Sequence, residues 1–183
     1  MSKSKIGEDV YKKVDKVNAE LFVLTYGSIV AQLCKDMNYE KVNEELDKMG
    51  YNIGIRLIED FLAKTEWPRC ADFRETGETV AKVGFKVFLN FSPIISSVSD
   101  DGNTFVLTLD DNPLAEFVEL PADARQKLWY SNILCGVIRG ALEMLQMDVD
   151  AVFLRDILRG DEHTEIRVHL KRILKEEIPP GDE

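Results

Sequence analysis

Three cysteines, Cys34, Cys70 and Cys135, and two histidines, His163 and His169, carry most of the reactive chemistry of this 183-residue chain. The cysteines are odd in number, far apart and never in C-x-x-C spacing, so they suggest neither a disulfide framework nor a zinc site. Cys34 and Cys135 sit among Val30, Leu33, Ile133, Leu134 and Val137, where a thiol acts as a small buried hydrophobe. Cys70 differs. It follows Pro68 and Arg69 in a stretch without helical periodicity, and a neighbouring guanidinium favours the thiolate that nucleophilic attack requires. It reads either as an ordinary loop cysteine or as a modified or reactive one. His163 in a turn and His169 on the polar face of a strand are poorly placed to share a metal, and a solvated role is expected for each. Acidic pairs such as Glu44-Glu45 and Glu59-Asp60 read as solvated helix faces. No G-x-x-x-x-G-K-[ST], G-x-G-x-x-G or G-x-S-x-G occurs, so nucleotide cradles and a serine-hydrolase elbow lack their signature. Neither metal nor nucleotide is expected.

What sharpens the interest in Cys70 is the segment after it. Thr76 to Leu89 has helical spacing, with Val80, Val83, Gly84 and Val87 on one side and a notch at Gly84, against which a linear apolar chain could lie. Gly136 and Gly140, in a long apolar segment further on, have two readings: close helix packing, which is favoured, or room for a ligand.

The elements that must position these residues emerge from periodicity and punctuation. Asn18 is placed to cap an amphipathic helix carrying Phe22, Tyr26, Ile29, Val30, Leu33 and Met37. A short helix with Val42, Leu46 and Met49 is predicted to end at Gly50, and a third to run from Tyr51 to Ala63 with Ile53, Leu57, Ile58, Phe61 and Leu62 as its stripe. Thr65 to Phe73 is a connector broken at Trp67-Pro68. Pro93–Val98 and Thr104–Leu109 read as a hairpin around Asp100-Asp101-Gly102-Asn103. Gln126 to Gln146 predicts a helix surrounded by protein, and Asp148–Leu158 and Thr164–Ile173 predict two more strands. The fold class is α+β, a helical layer on a four-stranded antiparallel sheet.

Composition excludes several functions. The 33 acidic against 23 basic residues leave a net charge of −10, the wrong sign for broad attraction to phosphate, which argues against nucleic acid. The first seventeen residues are polar and charged and hold no signal-peptide core, so the chain is expected to start and stay in the cytosol.

The segments LFVLTYGSIVAQLCKD, DKMGYNIGIRLIEDFLA, RCADFRETGETVAKVGFK, DNPLAEFVELP, YSNILCGVIRGALEMLQM and TEIRVHLKRI together resemble the subunit-3 family of trafficking protein particle (TRAPP) complexes, in order from about Glu20 to the C-terminus. The resemblance implies a non-catalytic core subunit of a vesicle-tethering complex acting between endoplasmic reticulum and Golgi, cytoplasmic and peripheral to those membranes. It implies dimerisation with itself and with sister subunits, in an assembly that promotes nucleotide exchange on a Rab GTPase. In that family a cysteine in the R-C-x-D-F context carries a palmitoyl thioester whose chain fills an internal tunnel. The matching cysteine is Cys70, with Arg69, Asp72 and Phe73 in register. The lining expected for the tunnel is Leu57, Phe61, Val80, Val83, Gly84 and Val87, and relatives often carry Ala where this chain has Gly84, a departure that enlarges the space. Residues 1–18 do not match and are expected to be a flexible lead before a single domain over 19–183. Helix one carries more apolar residues than one buried face needs, so Leu21, Val23 and Leu24 are the candidate dimer surface. The alternatives are a fatty-acid carrier and a cysteine-dependent acyl-transfer enzyme using Cys70.

Overall fold

Asn18 does cap a helix: its side chain accepts a hydrogen bond from Leu21 N–H at 2.8 Å and opens α2, Ala19–Asp36. In the computed structural model, which describes residues 2–174, this is the second of six α-helices. α1 spans Lys3–Lys13, α3 Tyr39–Thr65, α4 Phe73–Thr79, α5 Phe85–Leu89 and α6 Ile133–Glu143. A single π-helical turn, Val80–Gly84, joins α4 to α5. The strands are β1 Ile94–Val98, β2 Thr104–Leu109, β3 Met147–Arg155 and β4 Thr164–Ile173. They form the expected four-stranded antiparallel sheet, in the order β1-β2-β4-β3.

The sheet is a direct product of alternation. Phe105, Leu107 and Leu109 on β2 point to one face and are buried, and their partners Val168 and Ile166 on β4 share that face with Ala151 and Phe153 on β3. The opposite face carries Thr104, Arg167, His169 and Asp150. At the hairpin tip Gly102 takes a positive φ of 72°, and Asp101 accepts from Asn103 N–H at 3.0 Å, the local bonding that reverses the chain.

The helices depart from expectation in four places. Residues 3–13, read as part of a flexible lead, form α1, whose Val10, with Val14 just past its end, packs beside Ile58, Phe61, Val83 and Val87. Lys3 ties its start to Glu78 at 3.0 Å, and Gly7 lies against the backbone of the π turn. Gly50 does not end a helix, because α3 runs unbroken through it. Its missing side chain serves packing instead: a Cβ at Gly50 would overlap the Ile133 carbonyl, one at Gly54 would lie 2.8 Å from Ala141 N, and Gly136 and Gly140 answer them from α6. The favoured packing reading of Gly136 and Gly140 therefore holds. α6 starts only at Ile133, seven residues later than the apolar run suggests. Asn43 on α3 accepts Trp129 N–H and donates to the Lys127 carbonyl, both at 2.8 Å, while Tyr26 OH donates to the Tyr130 carbonyl at 2.5 Å. Tertiary bonds to 127–130 thus take the place of a helical ladder. Fourth, the helix predicted over Thr76–Leu89 is interrupted by the π turn, with a consequence for the site.

α6 lies between α3 and the sheet. Leu134, Ile138 and Leu142 on α6 belong to the main core with Phe105, Leu107, Ile166 and Val168, and a second cluster of Ile58, Phe61, Val83 and Val87 joins α3 to the π turn and α5.

Candidate functional site

The residues from Asp72 onward build one side of a cavity. Asp72 caps α4 by accepting Glu75 N–H at 2.7 Å, and the Thr76 hydroxyl returns to the Asp72 carbonyl at 2.9 Å. Glu75 reaches back to accept Ala71 N–H at 2.7 Å, which ties the 66–72 connector to the first turn of the helix. Glu66, in the left-handed region at φ 49°, ends α3 and starts that connector. Cys70 is thereby held with its Sγ 3.5 Å from Thr79 Oγ1, half-buried, on the wall of a cavity of about 440 Å³.

The cavity is bounded by the C-terminal half of α3, the connector, the inner side of residues 76–89, and α6 with the turn at its end. Its lining is overwhelmingly apolar. Of the six residues expected to line a tunnel, four border this cavity: Leu57 and Phe61 from α3, and Val80 and Gly84 from the π turn. Val83 and Val87 do not. Both are buried on the other side of the same segment, in the cluster that meets α1. A continuous α-helix would place 80, 83, 84 and 87 on one face, but a π turn inserts an extra residue and rotates the positions after it. The face that meets the cavity becomes Thr76, Val80, Gly84 and Phe88, with Phe85 and Leu89 beside it. At Gly84 an added Cβ would have no neighbour nearer than the Thr79 carbonyl oxygen at 4.0 Å, so the notch read from the sequence opens into free space.

Several lining residues lie outside the sequence expectation: Trp67 in the connector, Thr79, and Val137, Ala141 and Leu145 from α6 and its end. The only sequence signal for the α6 contribution was its apolar circumference, which does not say which side faces a void. Arg69 lies at the cavity rim and is exposed. Cys135 is 1 % exposed among core residues, and burial pushes its thiol far up, so it is inert packing. Cys34 is half-buried and also raised by burial. His169 Nδ1 lies 2.9 Å from Thr104 Oγ1 on the outer sheet face, and His163 sits in the 160–163 turn beside Glu162, so the two are not brought to one site. Among the described residues no helix is long and apolar enough to cross a membrane.

On α2, Leu21 is 67 % and Leu24 55 % exposed, with Phe22 beside them, whereas Val23 is 5 % exposed. Val23 is thus no surface residue. Helical geometry groups it with Tyr26 and Val30 on the inner face, and Leu21 and Leu24 fall outside it.

An α+β subunit with helices on one antiparallel sheet and a cysteine on the wall of an apolar cavity is the class these features define, and the profile of the transport protein particle (TRAPP) component family matches residues 22–169. The chain belongs to that family. It is 59 % identical over 181 residues to the trafficking protein particle complex subunit BET3 of Saccharomyces cerevisiae, spanning 97 % of this chain and 94 % of the relative. It is 54 % identical to subunit 3 of the same complex from Dictyostelium discoideum, over 97 % of this chain and 96 % of that one. A crystal structure of subunit 3 from Naegleria fowleri, covalently bound to palmitic acid, superposes with a TM-score of 0.85 at 46 % identity, covering 88 % of this chain and all of the other. The phenol-responsive sensory domain of the transcription activator PoxR shares the fold alone, at a TM-score of 0.51 and 15 % identity, over 86 % of this chain and 76 % of that one.

Proposed function

We propose that this chain is a non-catalytic core subunit of a TRAPP vesicle-tethering complex between endoplasmic reticulum and Golgi, carrying palmitate as a thioester on Cys70. The observation that carries this reading is the thiol of Cys70 on the wall of an apolar cavity in a chain similar to a palmitate-bound subunit 3. The cavity would hold the hydrocarbon chain. At about 0.8 kcal/mol per buried CH₂, a sixteen-carbon chain contributes at most about 12 kcal/mol, so it acts as core material and is withheld from the bilayer. The outward residues of α2, Leu21 and Leu24, would meet a second copy or a sister subunit of the same fold. Exchange on a Rab GTPase would belong to the assembled complex, which works in the cytoplasm and peripherally on the Golgi membrane.

Intact-mass spectrometry of protein from a eukaryotic host, with and without hydroxylamine, tests the acylation. A palmitoyl adduct that hydroxylamine removes and that Cys70→Ser lacks is expected. Protein without such an adduct, or a Cys70→Ser variant that retains it, overturns the reading. A lipid lost on denaturation alone points to a carrier.

A further inference from the structure

We infer that Thr79 is the positioning residue for acylation of Cys70; the inference rests on the proposal that Cys70 is the acylated thiol. The Thr79 hydroxyl has one proton, and it donates that proton to the Glu75 carbonyl at 2.9 Å. Toward Cys70, 3.5 Å away, it presents a lone pair, so the thiol is the donor of that contact. Thr79 is 6 % exposed and itself lines the cavity. Among the described residues it is the side chain that fixes the direction of Sγ: no other hydrogen bond to the thiol exists there.

The main chain beside Cys70 is anchored to the same turn. Ala71 N–H is held by the Glu75 carboxylate at 2.7 Å, and the carbonyl of that same Glu75 holds the Thr79 hydroxyl. Backbone and side chain of the cysteine are therefore referenced to one residue, Glu75, and the sulfur starts from the cavity side of the connector. An acyl chain lying along Val80 and Gly84 meets it there, so the reaction is speeded by proximity. In the step itself, with a long-chain acyl thioester as donor, Cys70 Sγ bonds to the acyl carbon and the donor's carbon–sulfur bond breaks. The Cys70 proton goes to the departing thiolate, which leaves as a free thiol.

The experiment compares Thr79→Val, nearly isosteric and without the acceptor, with Thr79→Ser, which keeps it. Each protein, prepared without lipid, is incubated with palmitoyl-coenzyme A and separately with iodoacetamide, and modification of the Cys70 peptide is followed by mass spectrometry. Thr79→Val is expected to acylate about five- to tenfold more slowly, because the sulfur loses the contact that orients it toward the cavity. Its iodoacetamide rate should stay within about twofold of the unmodified protein, and Thr79→Ser should restore acylation. Equal acylation of Thr79→Val, a Thr79→Ser variant as slow as Thr79→Val, or equal slowing with both reagents overturns the role of Thr79 while leaving the acylation reading intact. Absence of acylation in the unmodified chain overturns both.

Discussion

Gly136 on α6 packs backbone to backbone against Tyr51 on α3: a Cβ added at Gly136 would lie 2.7 Å from the Tyr51 amide nitrogen and would overlap the Asp47 carbonyl. The seam is flanked by polar contacts, Tyr51 OH donating to Glu143 at 2.9 Å and Arg139 pairing with Asp47 while lying over the Tyr51 ring. Because backbone cannot yield as a side-chain tip does, Gly136→Ala is expected to destabilise the protein by about 2–3 kcal/mol, more than its helix propensity returns. Urea denaturation measures this, and a loss below about 0.5 kcal/mol would show that the helices separate freely.

Gly84 offers the opposite case. Its backbone is ordinary right-handed helix, φ −58° and ψ −59°, and the space beside it is empty, so Gly84→Leu introduces no strain. The side chain is expected to fill the cavity, raise or preserve stability, and abolish the hydroxylamine-sensitive adduct. A folded Gly84→Leu protein that is still acylated would mean the chain runs elsewhere.

Leu21→Asp with Leu24→Asp is expected to shift self-association toward the monomer while circular dichroism and thermal melting change little, since both side chains are largely exposed. Val23→Asp should instead unfold the monomer by burying a charge. Sedimentation equilibrium at micromolar concentration reads the first effect; a dimer indifferent to both leucine substitutions refutes the surface.

Burial raises the Tyr130 phenol to about 12 and Tyr26 well above its ordinary value near 10. The unfolded chain therefore loses these protons first. Stability is full below about pH 10 and falls as pH rises toward 12, by about 1.4 kcal/mol per pH unit for each phenol. The Tyr130 hydroxyl has no hydrogen-bond partner among the described residues, so Tyr130→Phe is expected to be near neutral at pH 7 and to shallow the alkaline loss. Urea midpoints between pH 9 and 11.5 check it, an unchanged alkaline slope counting against the assignment.

The strands were legible because alternation such as Ile166, Val168 against Arg167, His169 has one structural solution. Gly50 misled because a glycine after an apolar stripe marks a helix end and a helix crossing alike, and only Gly136 and Gly140, far along the chain, decide between them. The run from Gln126 had helical composition, but Asn43 and Tyr26 claim its backbone from other helices. In the site, Cys70, Val80 and Gly84 stand out from context and spacing, whereas Leu57 and Phe61 enter as lining through the family resemblance alone. Val83 and Val87 were not, since nothing in their residue types announces a π turn between α4 and α5.

α1 gives that wall a second tenant. The segment whose inner side meets the cavity has its outer side occupied by Gly7, Val10 and Val14, and by the bridge from Lys3 to Glu78. A purification tag fused at Ser2, or a start codon moved past Lys13, is then expected to alter the shape of the cavity from outside, though neither touches a residue that lines it. Amino-terminal design is therefore a variable to hold constant whenever acyl content is compared between preparations.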